Sequence, residues 1–449
     1  MDLTNDPIPG LVRKLAVPAS VGFFFNTMYN VVDTYFAGFI STDALAALSI
    51  SFPVFFILLA INSGVSMGGT ALIANALGEK NPEKATKVCF QCLSFGAILS
   101  IVLSVTGYFV TPVLFRILGA TGGYLETALA YMNVILAGTV FFILQSILNA
   151  CLNAQGDTKS YRNVLIIGFF LNCILDPWFL YGGLGVPAMG IAGIALATVL
   201  IMCLGMLYLL YKFSKTELWR RPTLSLLAPS RVYREIAGQG FPASVNMVTV
   251  AVGIFLITWF ISLFSDESVA AYGIATRIEQ ILLLPTIGLN VAVLSLTGQN
   301  NGAGKLLRVR ETLNVAMKNG LLMMAAGGLI LFPMAEPMMR IFTQDPLVVA
   351  HGVDYLRIAS ITLCSYVVIF QTGNLLQGLK RPMFSLFMGL YRQIFAPLLV
   401  FYLLAFKLDM KENGVWWGVF LVTWSAAVIA HFFGRSVLNK MICDKEAPS

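Results

Sequence analysis

Twelve long runs of apolar residues, separated by short polar or basic segments, divide the chain. They lie near 15–40, 46–77, 90–114, 127–150, 163–181, 187–211, 238–264, 270–298, 312–335, 355–378, 383–406 and 414–434. A helix crosses ~30 Å of hydrocarbon with ~20 residues, so each run is long enough to span a bilayer. A membrane barrel would instead show short alternating strands, which this pattern lacks. The fifth and sixth runs are nearly fused, and "YGGLGVPAMG" between them offers glycines and a proline for a tight outer turn. The pattern predicts an all-α polytopic membrane protein with twelve transmembrane helices.

Charge then orients the spans. With a cytoplasmic N-terminus, the inside segments hold 21 Lys and Arg and the outside segments only 4. That bias puts both termini in the cytoplasm. Composition agrees with a bilayer setting: of 449 residues, 58% are hydrophobic and 11% charged, more apolar surface than a soluble domain can hide. The net charge of +7 sits in short loops without interleaved aromatics, so it reads as topology and not as a nucleic-acid footprint. The opening "MDLTNDPIPG" carries acids and no basic lead into a short apolar core, so the first span is expected to direct insertion itself.

The chain also repeats. "VPASV" at 17–21 recurs as "FPASV" at 241–245, an offset of 224 that continues through the second span of each half. Gln155-Gly156 recurs as Gln377-Gly378, at an offset of 222. Six spans per half is an even number, so the two halves enter the membrane the same way round, as parallel repeats. The expected domains are an N-terminal lobe at 1–212, a basic cytoplasmic loop at 213–235 and a C-terminal lobe at 236–449. Two pseudo-symmetric six-helix lobes of this kind enclose a central cavity that can open to either side, which points to a transporter.

Three acids fall well inside spans: Asp33, Asp176 and Glu279. Asp33 aligns with Ile257, Asp176 (at offset 222) with Leu398, and Glu279 with Phe55. The repeat thus does without each carboxylate in one of its copies, so the fold itself does not demand them. Asn26, Asn30 and Asp33 share one helix face at i, i+4 and i+7; Asn172 and Asp176 are one turn apart. Both sets can converge on one polar pocket of the first lobe. Interhelical hydrogen bonding alone is the plainer reading, but asparagine supplies that without the cost of an ionisable group. For Glu279 a structural charge pair is an equal alternative, with Arg392 as the candidate partner.

Other features carry less. Seven cysteines, including the Cys89–Cys92 pair, fit ordinary buried thiols, and isolated His351 and His431 make no metal site. No GxxxxGK[ST] loop occurs and no DxxxD pair lies in or between the spans, so nothing suggests an ATPase, another enzyme or a bound cofactor. Tyr131 and Thr198, taken alone, fit core or lipid-facing positions.

Together, "YNVVDTYFAG", "LNAQGDTKSYRNV", "NCILDP" and "GQNNGAG" in twelve spans resemble the MATE (multidrug and toxic compound extrusion) exporters over essentially the whole chain. The match is strongest to the DinF-type bacterial branch. The resemblance implies a cation site from Asp33 and Asp176, with Asn172, Tyr131 and Thr198 as polar neighbours and Pro18 as the bend of the first helix. Glu279 resembles an acid of the eighth span in the other lobe. Sodium-coupled relatives carry acids in the seventh and tenth spans; here the seventh has none, which favours protons, with sodium as the alternative. The implied activity is multidrug efflux by cation-coupled antiport across the bacterial cytoplasmic (inner) membrane. Its partners would be amphipathic cationic drugs, coupling protons and lipid, in a monomer. A flippase of lipid-linked sugars is the rival, but only Arg277, Lys318, Arg357 and Arg392 lie in or at the edges of spans to hold a pyrophosphate.

Overall fold

In an apolar run the backbone can satisfy its polar groups only within itself, and here every run becomes helix. A computed structural model describes residues 1–40, 42–183, 185–219 and 229–446, and no strand occurs among them. The helices of the first half are α1 (Ile8–Ile40), α2 (Thr42–Gly78), α3 (Pro82–Ile117), α4 (Gly122–Ala137), α5 (Thr139–Ala154), α6 (Lys159–Tyr181) and α7 (Ile191–Ser214). The second half holds α8 (Ser230–Ser262), α9 (Asp266–Gly302), α10 (Leu306–Arg340), α11 (Pro346–Gly378), α12 (Met383–Leu390), α13 (Ala396–Phe401) and α14 (Lys411–Glu446). A π-helical turn at Tyr391–Phe395 joins α12 to α13, and a second at Tyr402–Lys407 extends α13, which makes one span.

Eleven spans are single stretches, and α4 with α5 makes the twelfth, bent by 43° at Gly138. The expected run at 127–150 is thus broken in the middle. A Cβ at Gly138 would collide with the Val199 side chain of α7, so the missing side chain admits that helix at the bend. The expected cytoplasmic loop at 213–235 is shorter than its composition suggested, because α7 continues to Ser214 and α8 begins at Ser230. Residues 220–228 of it lie outside the described residues.

Helix ends correct the repeat register. Lys80 and Gly304, after α2 and α9, are both left-handed, with φ of 54° and 67°. Gly156 and Lys380, after α5 and α11, are likewise left-handed, with φ of 88° and 60°. The closing bonds match too: Asp157 N–H donates to Leu152 O, and Arg381 N–H to Leu376 O. The offset therefore stays at 224, and the Gln-Gly pairs matched at 222 are not equivalent in structure. At 224 Asp176 aligns with Val400 rather than Leu398, still an apolar residue.

The chain packs as two units, Val21–Ser244 and Met1–Ser20 together with Val245–Ser449. The boundary follows the serine of "PASV" in both copies, inside α1 and inside α8, although both helices run unbroken through Pro18 and Pro242. Packing thus divides the chain differently from the sequence repeat. The reason is burial: Ile8, Leu11, Leu15 and Ala16 of α1 form a core with Leu289, Ala292 and Leu296 of α9. In the other unit, Ile236 of α8 buries with Ile73, Ile147, Phe213 and the thiols Cys89, Cys92 and Cys151.

Each unit contains the same close crossing. A Cβ at Gly288 would meet Ser20 Oγ and the Ala16 carbonyl; one at Gly64 would meet Ser244 Oγ and the Gly240 carbonyl at 2.5 Å or less. Glycine lets the backbones approach, as small residues do generally between membrane helices.

The start of the chain is tied down by Asn300 of the "GQNNGAG" segment and by two basic residues just after that segment. Asn300 Nδ2 donates to Leu3 O (3.0 Å), Lys305 Nζ to Thr4 O (3.0 Å) and Asn5 Oδ1 (2.6 Å), and Arg308 to Asp6 O (2.7 Å). Asp2 closes this turn by accepting from the Asn5 and Thr4 side chains, which hold its carboxyl well below the usual carboxylate range.

Candidate functional site

The unit of residues 21–244 gathers polar side chains from four helices in an otherwise apolar interior. Asn172 and Asp176, one turn apart on α6, are both fully buried. Across from them α1 presents Asp33, and Asn172 Nδ2 donates to Asp33 Oδ1 at 2.8 Å. The charges of the two acids act on each other, so they occupy one pocket.

The remaining walls are Tyr131 of α4, Thr198 of α7 and Tyr29 of α1, exposed to only 5%, 4% and 7%. Both acids act electrostatically on Tyr131 and on Tyr29. Thr198 donates its hydroxyl to Ile194 O at 3.2 Å within its own helix, which leaves its oxygen to face the pocket as an acceptor.

The cluster is short of partners. Both oxygens of Asp176, Oδ1 of Asn172 and the hydroxyl of Tyr29 are buried without a hydrogen bond. Buried polar atoms are nearly always paired, so four unpaired ones in a single pocket mark a site built to receive something. The donors are hard oxygens, suited to a proton or a small hard cation. Among the described residues no group of three or more His, Cys, Asp or Glu side chains has metal-binding geometry.

Asp33, Asp176, Asn172, Tyr131 and Thr198 thus come together as the sequence led us to expect. Asn26 and Asn30 make no side-chain hydrogen bond to them among the described residues. Asn30 is exposed and donates to Asn26 O at 2.8 Å along its own helix. Tyr29 was missed, although it lies four residues before Asp33 and so one turn away on the same face.

Glu279 sits elsewhere, in α9 of the other unit, and accepts from the Tyr355 hydroxyl at 2.7 Å. The expected ion pair with Arg392 does not form among the described residues. The Arg392 guanidinium lies over the Tyr366 ring instead, 5.4 Å from its centroid.

Comparison with known proteins fits this arrangement. The MatE family pattern matches residues 18–178 and 242–402, two copies displaced by 224 residues. The probable multidrug resistance protein NorM of Thermotoga maritima is 29% identical over 355 residues, covering 77% of this chain and 75% of its own. The FAD transporter of Shewanella oneidensis is 27% identical over 400 residues, with 87% of each covered. A crystal structure of MATE in the bent conformation superposes with a TM-score of 0.92 at 25% identity, over 99% of this chain and 98% of that one. A doubled pattern over most of the sequence, on a twelve-span helical fold, leaves one conclusion: the chain belongs to the MatE family, whose members are multidrug efflux transporters and not enzymes.

Proposed function

We propose that this chain is a cation-coupled antiporter that exports amphipathic organic cations across a bacterial cytoplasmic membrane, with protons as the coupling ion. The observation that carries the reading is the Asp33–Asn172–Asp176 pocket. It holds one fully buried carboxyl group, Asp176, beside the half-buried Asp33 and supplies only neutral partners. Uncompensated charge there is costly, so the pocket takes up positive charge. A proton or the cationic centre of a drug can each provide it, and not both at once. Binding of one therefore expels the other, which is antiport by linkage.

The driving force is adequate. One pH unit supplies ~1.4 kcal/mol per proton, and 100 mV adds ~2.3 kcal/mol per net charge moved. Together they support a gradient of several-hundred-fold per proton with net charge movement, on the scale of ~1.4 kcal/mol per factor of ten. Exchange of one proton for one monovalent cation moves no net charge and draws on the pH term alone.

Sodium is the second reading. It is favoured by the oxygen-only donor set, in which Asp176, Asn172 Oδ1 and Thr198 can act as ligands. The names of the relatives range from multidrug resistance to FAD transport, and the two carboxyl groups of the pocket favour a cationic cargo. The chain works as a monomer with both termini cytoplasmic and needs no resident cofactor. The test is efflux of a fluorescent cation from liposomes holding the purified protein, with proton and sodium gradients imposed separately. Flux on a proton gradient alone, lost in Asp33→Asn and Asp176→Asn, supports the proposal. Flux that requires sodium moves the chain to the second reading, and gradient-independent leakage overturns both.

A further inference from the structure

The larger cavity described in the molecule does not contain the Asp33–Asp176 pair. It lies within the unit of residues 245–449, has a volume of about 180 Å³, and is lined by Tyr272, Glu279, Tyr355, Tyr366, Arg392 and Gln393 among others. An engineered cavity of ~150 Å³ is known to hold benzene, so there is room for an aromatic ring.

Two charged groups face this space incompletely paired. Glu279 is 6% exposed; its Oε2 accepts from Tyr355, while Oε1 is buried without a partner. Arg392 makes no ion pair among the described residues and rests on the Tyr366 ring. The backbone takes a π-helical turn at Tyr391–Phe395, which carries both Arg392 and Gln393. Such turns interrupt regular helices frequently at functional sites.

The repeat shows that the fold does not need this cavity. Phe55, at the position matching Glu279, packs on Phe142 at 6.2 Å between ring centroids, and only about 10 Å³ of space remains beside them. One unit fills the place with rings; the other opens it and lines it with opposite charges.

The ligand chemistry follows by elimination. A simple cation would satisfy Glu279 and face the guanidinium; a simple anion would do the reverse. A neutral apolar molecule would leave both groups unsatisfied. We propose that this cavity is a second binding site, which takes a compact aromatic zwitterion with its carboxylate on Arg392, its ammonium on Glu279 Oε1 and its ring against Tyr272, Tyr355 and Tyr366. This site is independent of the Asp33–Asp176 pocket and of how that pocket is coupled.

Three probes with one ring system test it: tryptophan (zwitterion), tryptamine (cation) and indole-3-propionate (anion). Their equilibrium binding is measured on the full-length protein in lipid nanodiscs. Tryptophan should bind saturably and about tenfold or more tighter than either relative, the scale of one charge-assisted hydrogen bond. Arg392→Gln should reduce tryptophan to the level of tryptamine, and Glu279→Gln to the level of indole-3-propionate. Arg392→Lys, which keeps the charge and guards against a misfolded glutamine variant, should lose less tryptophan affinity and leave tryptamine unchanged. Asp33→Asn should bind tryptophan like the wild type, even where it abolishes coupled flux. Equal binding of the three probes, no saturable binding, unchanged affinity in Arg392→Gln, or loss in Asp33→Asn each overturns the proposal.

Discussion

Asp176 shows how far a single residue can be read. Its apolar surroundings and its absence from the repeat were visible in the chain, whereas its unpaired state depends on where Asp33 and Asn172 meet it. Since Val400 fills the matching place in the repeat, Asp176→Asn should fold and insert normally while losing gradient-driven efflux; size-exclusion profile and liposome flux check the two halves. Tyr29 offers a sharper contrast. Its hydroxyl is buried without a bond, and removing such a group is neutral or stabilising. Tyr29→Phe should therefore keep or raise the thermal midpoint and lower transport several-fold. A lower midpoint with normal transport would make Tyr29 a packing residue only. The sequence showed Asn30 and Tyr29 equally well; only packing reveals that the tyrosine turns inward and the asparagine out.

At the scale of elements, the repeat was legible and its register was not. Short dipeptides such as Gln-Gly recur by chance, whereas left-handed caps at 80 and 304, and at 156 and 380, mark true equivalence. Lys80 holds the position that Gly304 fills in the other half. A left-handed L-residue costs about 1–2 kcal/mol, so Lys80→Gly should raise the thermal midpoint, and a drop would show that the lysine side chain matters more than its backbone. Gly288→Ala should act in the opposite direction. Its methyl group would press on Ser20 and Ala16, and overpacking of this kind costs about 1–3 kcal/mol. A denaturation midpoint unchanged from the wild type would contradict the close crossing. The bend at Gly138 could not be read from composition, because it depends on Val199 of a helix some sixty residues away. The turn at Asp2 has the sign of a lowered carboxyl: its contribution is present above the usual carboxylate range and is lost only in stronger acid.

For the molecule as a whole, span number and all-helical class followed from hydropathy alone, since a bilayer leaves the backbone few choices. The division into packing units did not. It is set by burial of Leu3 to Ala16 against α9 and by the hold of Asn300, Lys305 and Arg308 on the first six residues. These pairs lie some 300 residues apart, and no local pattern encodes them. The same holds for the cavity around Glu279, whose walls come from α8, α9, α11, α13, α14 and the π turn before α13.

The central claim is that coupling ion and drug compete for the Asp33–Asn172–Asp176 pocket. The most direct measurement is proton release on drug binding, made with purified protein in weakly buffered detergent solution near neutral pH. Addition of a saturating organic cation should release protons in proportion to the drug bound, and Asp33→Asn and Asp176→Asn should each suppress the release. Drug binding without proton release, or release that survives both substitutions, would contradict the account.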